Sequence, residues 1–161
     1  MDQQKLLQMI AFHGNAAKAT YAGSSGQTTS QRQDFIELEY KEGDFYYRDS
    51  YTGFLRSWGQ EVIYLNDNAV WTNIYGGGME SEYMSHDFAL QTFAFLKTAL
   101  SSKVKDAFYP RGPDSFHQEK WNYNCAWQGN LTDFSGSEFI TYEDKTVFRH
   151  QFIGGLIIGK E

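Results

Sequence analysis

An internal repeat limits the folds open to this chain more than any other feature of its sequence. Residues 47–79 and 123–156 align over their whole length, with one inserted residue, Ser135, in the second copy. The matched positions carry aromatic residues, glycines and acids in the same order, among them Tyr47 with Tyr123, Gly59 with Gly136, Glu61 with Glu138, Trp71 with Phe148 and Tyr75 with Phe152. The repeat therefore predicts two halves of like fold, about 1–80 and about 84–161. We expect both to lie in a single domain, 1–161.

Alternation of apolar and polar residues predicts three strands in each half. The strands are expected at 44–51, 60–65 and 70–75 in the first half and at 120–127, 137–142 and 147–152 in the second. The second and third strands of each half are joined by short polar stretches around Asp67 and Asp144, which predict hairpin turns. The third strand of each half is expected to end at a double glycine.

A helical stripe of apolar residues precedes each set of strands, at 3–12 and at 87–100, with Ser85 or His86 as a candidate cap of the second helix. The resulting fold class is α+β, internally duplicated as (α-β-β-β)x2. It consists of a mostly antiparallel sheet with two helices, and the halves are related by a pseudo-two-fold axis. We expect the helices to cover the aromatic face of the sheet.

Composition and charge exclude several classes of function. The formal net charge is -6 without any basic cluster, which argues against direct binding of nucleic acid. No apolar run is long enough for a membrane span, and no export signal is visible. The single cysteine, Cys125, fits a reducing compartment, so we expect a cytoplasmic protein. The four histidines lack metal-ligand spacing, so no metal and no cofactor are expected.

The repeat contains two matched acids, Glu61 and Glu138, each two residues after a matched glycine. Their strand parity places them on the side expected to face the core. Two acids near a pseudo-axis can bind a cation or share a proton. The sequence favours the alternative that both are structural acids, because a residue kept in both halves of an asymmetric protein points to the fold.

Asp49 and His150 are polar residues within the aromatic faces, and the other half has Cys125 and Asn73 at their positions. If the two aromatic faces meet, this acid and imidazole can orient a polar ligand or act as an acid–base pair. A hydrogen-bonded core network is the alternative. The residues expected to line a ligand pocket are Tyr21, Tyr47, Asp49, Tyr51, Trp71, Tyr123, Trp127 and His150.

Several segments together resemble a known family. They are the stretch 17–23, the stretch 38–51 with its acids Glu42, Asp44 and Asp49, and the later motifs Gly59-x-Glu61, Tyr109-x-Arg111-Gly112-Pro113 and Trp127-x-Gly129. The chain is similar, over nearly its whole length, to an uncharacterised bacterial and archaeal domain of unknown function. That domain occurs alone or C-terminal to Xre-type helix-turn-helix domains in transcriptional regulators. The resemblance implies a stand-alone domain without a DNA-binding part, and it brings no active site with it.

Three functions follow from these observations. The favoured hypothesis is a non-enzymatic domain that binds a small molecule or acts as a sensor. A hydrolase or isomerase that uses Asp49, Glu61, Glu138 or His150 is the second. The third is a protein-interaction module that acts through exposed aromatic residues such as Phe54 or Trp58. The sequence does not indicate an oligomeric state.

Overall fold

The computed structural model of the protein describes residues 2–22, 26–102 and 107–159. Its helices are α1 (Gln3–Ala17) and α2 (His86–Ser101), and its strands are β1 (Gln27–Thr28), β2 (Ile36–Glu42), β3 (Phe45–Gly53), β4 (Arg56–Leu65), β5 (Asn68–Met79), β6 (Ser115–Gln118), β7 (Trp121–Asn130), β8 (Asp133–Tyr142) and β9 (Lys145–Leu156). A wider π-helical turn, Lys18–Ala22, continues α1, and a 3-10 turn, Ser81–Tyr83, precedes α2. Neither helix in the described part of the chain is long and apolar enough to cross a bilayer.

The described strands form one antiparallel sheet in the order β1-β2-β3-β4-β5-β9-β8-β7-β6. The expectation of a mostly antiparallel sheet with two helices is confirmed. The prediction of three strands in each half is wrong. Strands β2 and β6 extend the two halves to four strands each, and the two-residue β1 adds an edge. Both additional strands lie towards the edges of the sheet and are mostly exposed or half-buried, so they lack the strong apolar alternation of the inner strands.

The two halves meet at the central pair of strands, β5 and β9. Tyr75 pairs with Phe152, and the pairs Trp71 with Leu156 and Met79 with Phe148 lie four residues to either side. A pseudo-two-fold axis between the halves predicts this register. Such an axis exchanges each residue of one half with its match in the other, so the pairs on either side of Tyr75 and Phe152 mirror each other. The common origin of the two halves stays a prediction.

The hairpin turns lie where the sequence places them. Asp67 and Asp144 both have positive φ, as do the residues before them, which is the geometry of the two-residue turns that suit twisted hairpins. The double glycines, in contrast, do not end their strands. At Gly77, φ is +137° and an added Cβ would lie 2.2 Å from the carbonyl oxygen of Arg149 on β9. Glycine there allows the close approach of the two strands, so β5 continues to Met79.

Both helices cover the same, aromatic face of the sheet. Asp2 caps α1, and Ser85, rather than His86, caps α2 by accepting a hydrogen bond from the amide of Phe88 at 3.2 Å. From α1, Phe12 stacks on Phe45 of β3, and from α2, Phe88 stacks on Trp121 of β7. The face that holds the repeated acids is therefore the interior of the protein.

Candidate functional site

One arginine joins the two repeated acids at the junction of the halves. Glu61 lies in the middle of β4 and Glu138 in the middle of β8, while Arg111 comes from the connection between α2 and β6. Arg111 donates a hydrogen bond from Nε to Oε1 of Glu138 at 2.9 Å and from Nη1 to Oε1 of Glu61 at 3.3 Å. All three side chains are buried. The guanidinium therefore bridges the halves through two buried ion pairs.

The remaining oxygens of the two acids also have partners. Tyr123 donates its hydroxyl to Oε2 of Glu138 at 2.6 Å and accepts a hydrogen bond from the amide of Gly112. Asn73 donates to Oε2 of Glu61 at 3.2 Å, and Nε2 of His13 lies 3.7 Å from the same oxygen. Buried charges need such compensation. The geometry fits the interpretation of Glu61 and Glu138 as structural acids.

Arg111 and two buried histidines favour the ionised form of the two acids. Burial alone would raise the pKa of Glu138, but the charge of Arg111 and the contact with His150 lower it to about 2. For Glu61 too, burial opposes ionisation, while His13 and Arg111 lower the pKa below its usual range. Both acids are therefore carboxylates at neutral pH, and the arginine that bridges them balances one of the two negative charges.

Asp49 lies beside this network, and its pKa is raised while those of Glu61 and Glu138 are lowered. It pairs with Glu61 across β3 and β4, and its Oδ1 accepts a hydrogen bond from the hydroxyl of Tyr75 at 2.9 Å. Burial and the charge of Glu61 raise the pKa of Asp49 to about 8. Asp49 is therefore mainly a neutral acid at pH 7. Its Oδ2 is buried and has no hydrogen-bond partner in the part of the chain that the structure describes.

His150 lies on β9 opposite Glu138. Its Nδ1 is 3.3 Å from Oε1 of that acid, and its ring contacts those of Phe148 and Tyr75, with centroids 4.5 and 5.7 Å away. Burial lowers the pKa of His150, and this effect outweighs the opposite influence of Glu138. The ring is thus neutral at pH 7. Its second nitrogen, Nε2, is buried and has no partner among the described residues.

A cavity of about 430 Å³ adjoins His150 and Tyr75. It lies between the inner face of the sheet, α2 and the segment that follows α1. Of the residues predicted to line a pocket, Tyr51 and His150 border this cavity. Four others contribute to the core and do not line it, namely Tyr47, Asp49, Trp71 and Tyr123. The side chain of Tyr21 lies outside the described residues.

Asp49 and His150 each contact Tyr75, and their direct pairing stays a prediction. Tyr75 bonds to Asp49 through its hydroxyl and contacts His150 with its ring. Trp71 has a different role: it donates from Nε1 to the carbonyl oxygen of Leu131 at 3.0 Å and stacks on Phe134. It therefore ties β5 to the turn between β7 and β8.

A wider groove of about 820 Å³ is open to solvent. Trp127 borders it, together with Trp58, Ile74 and Ile153, which are 59, 52 and 58% exposed. The last three side chains alternate with buried ones along their strands, so they lie on the face of the sheet opposite the helices. Among the described residues that border this groove, Tyr75 is the only buried ionisable one, whereas the cavity has both Tyr75 and His150. The groove therefore offers less to fix a ligand than the cavity.

Sequence reasoning missed Arg111, His13 and Tyr75 as members of the site. A sequence signal existed for Arg111, because two inward-facing acids require a buried cation and the motif Tyr109-x-Arg111-Gly112-Pro113 belongs to the resemblance. The described residues contain no group of three or more histidine, cysteine, aspartate or glutamate side chains that could hold a metal ion. The cation between Glu61 and Glu138 is the guanidinium of Arg111.

Replacing Arg111 should destabilise the protein strongly, because two buried carboxylates would lose their counter-charge. We expect Arg111→Met to lower the free energy of unfolding by about 3–5 kcal/mol. Arg149→Met is the matched control, since Arg149 pairs with Glu80 at the surface, and it should cost less than about 1 kcal/mol. Urea unfolding measures both. Equal effects of the two variants would contradict the bridging role, whereas partial rescue of Arg111→Met by Glu138→Gln would support it.

The raised pKa of Asp49 should make stability fall with increasing pH. The folded protein keeps this proton up to about pH 8, while an ordinary aspartate loses it near 3.8. Folding therefore takes up a proton between these values, and the free energy of unfolding falls by up to about 1.4 kcal/mol per pH unit. Asp49→Asn should flatten this slope in urea unfolding between pH 7 and 8, above the range in which His150 contributes. Asp144→Asn, in an exposed turn, should keep the wild-type slope, and an unchanged slope in Asp49→Asn would refute the assignment.

Comparison with known proteins identifies a family but no characterised relative. The family model described as a domain of unknown function, DUF5680, matches residues 49–157. This span contains Asp49, Glu61, Arg111, Glu138 and His150. No curated protein and no solved structure matches the chain. The occurrence of the family in bacteria and archaea and its association with Xre-type domains stay predictions. Because the match covers well over half of the sequence, the chain belongs to the DUF5680 family of domains of unknown function.

Proposed function

We propose that this protein is a non-enzymatic domain that binds a small molecule in the cavity beside His150. The observation that carries this proposal is the meeting of the cavity with the buried polar network at His150 and Tyr75. Its volume, about 430 Å³, falls within the range of about 300–1,000 Å³ that is typical of small-molecule sites. Sites of this kind combine mainly apolar walls with a few placed polar groups.

The lining of the cavity indicates what kind of molecule fits. Its apolar walls are formed by Ile36, Leu38, Phe54, Phe93, Leu96 and Phe148. Its polar contributors besides His150 include Thr20, Gln27, Ser57 and Lys97. A compact and largely apolar ligand with one or two polar groups matches this surface, because each buried polar group of the ligand needs a partner.

Both halves of the chain contribute to the walls, which supports a sensor-like role. Tyr51 and Ser57 come from the first half, and Phe148 and His150 come from the second. A ligand in the cavity would contact both halves and α2 at once, so it would favour one arrangement of these elements. The proposed duplication and pseudo-two-fold relation account for a site at this junction. A cytoplasmic location and an association with transcriptional regulators belong to the same proposal.

A hydrolase or isomerase is the second candidate function. It is favoured by the contact between Nδ1 of His150 and Glu138, since a histidine oriented by a carboxylate can act as a general base through its other nitrogen. Glu61 and Glu138 themselves are committed to Arg111 and are less suited to catalysis. Turnover of a compound found to bind in the cavity, lost in His150→Phe, would favour the enzyme over the binding domain.

A protein-interaction module is the third candidate, supported by Trp58, Ile74 and Ile153 on the outer face of the sheet. Exposed apolar clusters often mark interaction surfaces. The small-molecule proposal rests on the opposite face, so the two can be tested separately. A monomer in light scattering at high protein concentration would argue against self-association through this surface.

A thermal-shift screen of small, mainly apolar compounds tests the leading proposal. A compound present at a hundred times its Kd should raise the free energy of unfolding by about 2.7 kcal/mol and the Tm by several degrees. Ser57→Phe should weaken the binding, because Ser57 borders the cavity and lies outside the ion-pair network. Trp58→Ala, on the opposite face, is the control and should bind normally. The proposal fails if no compound binds, or if Ser57→Phe binds every compound as the wild type does.

A further inference from the structure

We infer that the cavity selects small apolar molecules that carry one carboxylate, and that Lys97 binds this carboxylate at the outer edge of the cavity. This inference rests on the proposed binding function and specifies the ligand class. Two observations carry it. They are the position of Lys97 on α2 and the charges of the residues that border the cavity.

Lys97 lies at the solvent edge of the face that α2 turns towards the cavity. The residues of this helix that border the cavity are Phe93, Leu96 and Lys97, and their spacing of three and four residues places them on one face. Phe93 is half-buried and Leu96 is buried, whereas Lys97 is exposed. A lysine side chain packs its methylene groups along apolar surface and keeps its ammonium group in water. The charge of Lys97 is therefore accessible to a ligand at the edge of the cavity.

Lys97 is the only charged side chain among the described residues that border the cavity. His150 is neutral at pH 7, and no aspartate or glutamate belongs to the described walls. Lys97 also forms no ion pair with any residue in the described part of the chain. The protein as a whole carries a net charge of -6, so this cation beside an apolar cavity stands out locally. One anionic group on the ligand matches it.

The walls and the single cation together favour a monocarboxylate. Phe93, Leu96 and Phe148 offer apolar contacts to an aromatic ring or a short alkyl chain. A phosphate monoester carries up to two negative charges and is typically bound by several arginines, which the described lining lacks. A carboxylate needs one cation, and its second oxygen can stay in water at the edge of the cavity.

Matched pairs of probes test the selectivity. Phenylacetate and phenylacetamide, and likewise hexanoate and hexanamide, have nearly the same shape and differ in charge. Their binding to the full chain can be compared by NMR titration at millimolar concentration, neutral pH and low ionic strength. We expect the carboxylates to bind about fivefold or more tightly than their amides. Added salt should reduce this preference, because the ion pair lies near solvent.

Substitutions of lysine separate a local ion pair from a general effect of net charge. Lys97→Met should remove the preference for the carboxylates, and Lys97→Arg should keep it. Lys120→Met is the matched control, because it changes the net charge by the same amount at an exposed site where Lys120 pairs with Glu143. This variant should keep the preference. Both lysines are exposed, so we expect all three variants to fold.

The outcomes separate this inference from the proposed function. Equal binding of the acids and amides by the wild type, or a preference that survives Lys97→Met, would overturn the carboxylate selectivity while leaving small-molecule binding intact. Ser57→Phe should weaken the binding of phenylacetate, and unchanged binding would place the acid outside the cavity and overturn the inference as well. Failure of all probes and of the compound screen would overturn both the inference and the proposed function.

Discussion

The buried pairing of Arg111 with Glu61 and Glu138 is the interaction on which the rest of the structure depends. Each acid comes from the middle strand of three inner strands of its half, and the arginine comes from the connection that leads into β6. Within the sheet, the halves are joined through β5 and β9. The ion pairs add a second link across the same junction, and removing one partner of a buried pair leaves an uncompensated charge.

The same charge balance sets the protonation of the neighbouring groups. Glu61 and Glu138 are ionised. Burial and the charge of Glu61 keep Asp49 protonated, and burial keeps His150 neutral against the opposite influence of Glu138. Tyr75 connects these two neutral groups. The cavity therefore borders a polar network whose hydrogen bonds have fixed directions, and this pre-organisation suits selective binding more than nonspecific uptake.

Much of this architecture could be predicted from the sequence, because the repeat and the period-two pattern reflect burial directly. Both helices, the inner strands and the hairpin turns at Asp67 and Asp144 follow from it. The strands β2 and β6 do not, since strands near the edge of a sheet have weak alternation. The cavity could not be predicted either. Tyr51 and His150 border it, whereas Trp71 and Tyr123 are buried in the core, although all four belong to the aromatic faces of their strands in the sequence pattern. Tertiary packing, which periodicity does not encode, separates these cases.

Solvent exchange of the Arg111 Nε–H proton tests the central claim most directly. The group is buried and donates to Glu138 at 2.9 Å, so its NMR signal should persist at neutral pH and exchange with water far more slowly than that of Arg32, which is half exposed. Slow exchange that becomes fast in Glu138→Gln would agree with the buried bridge. An Arg111 proton that exchanges as fast as that of Arg32 in the wild type would contradict it.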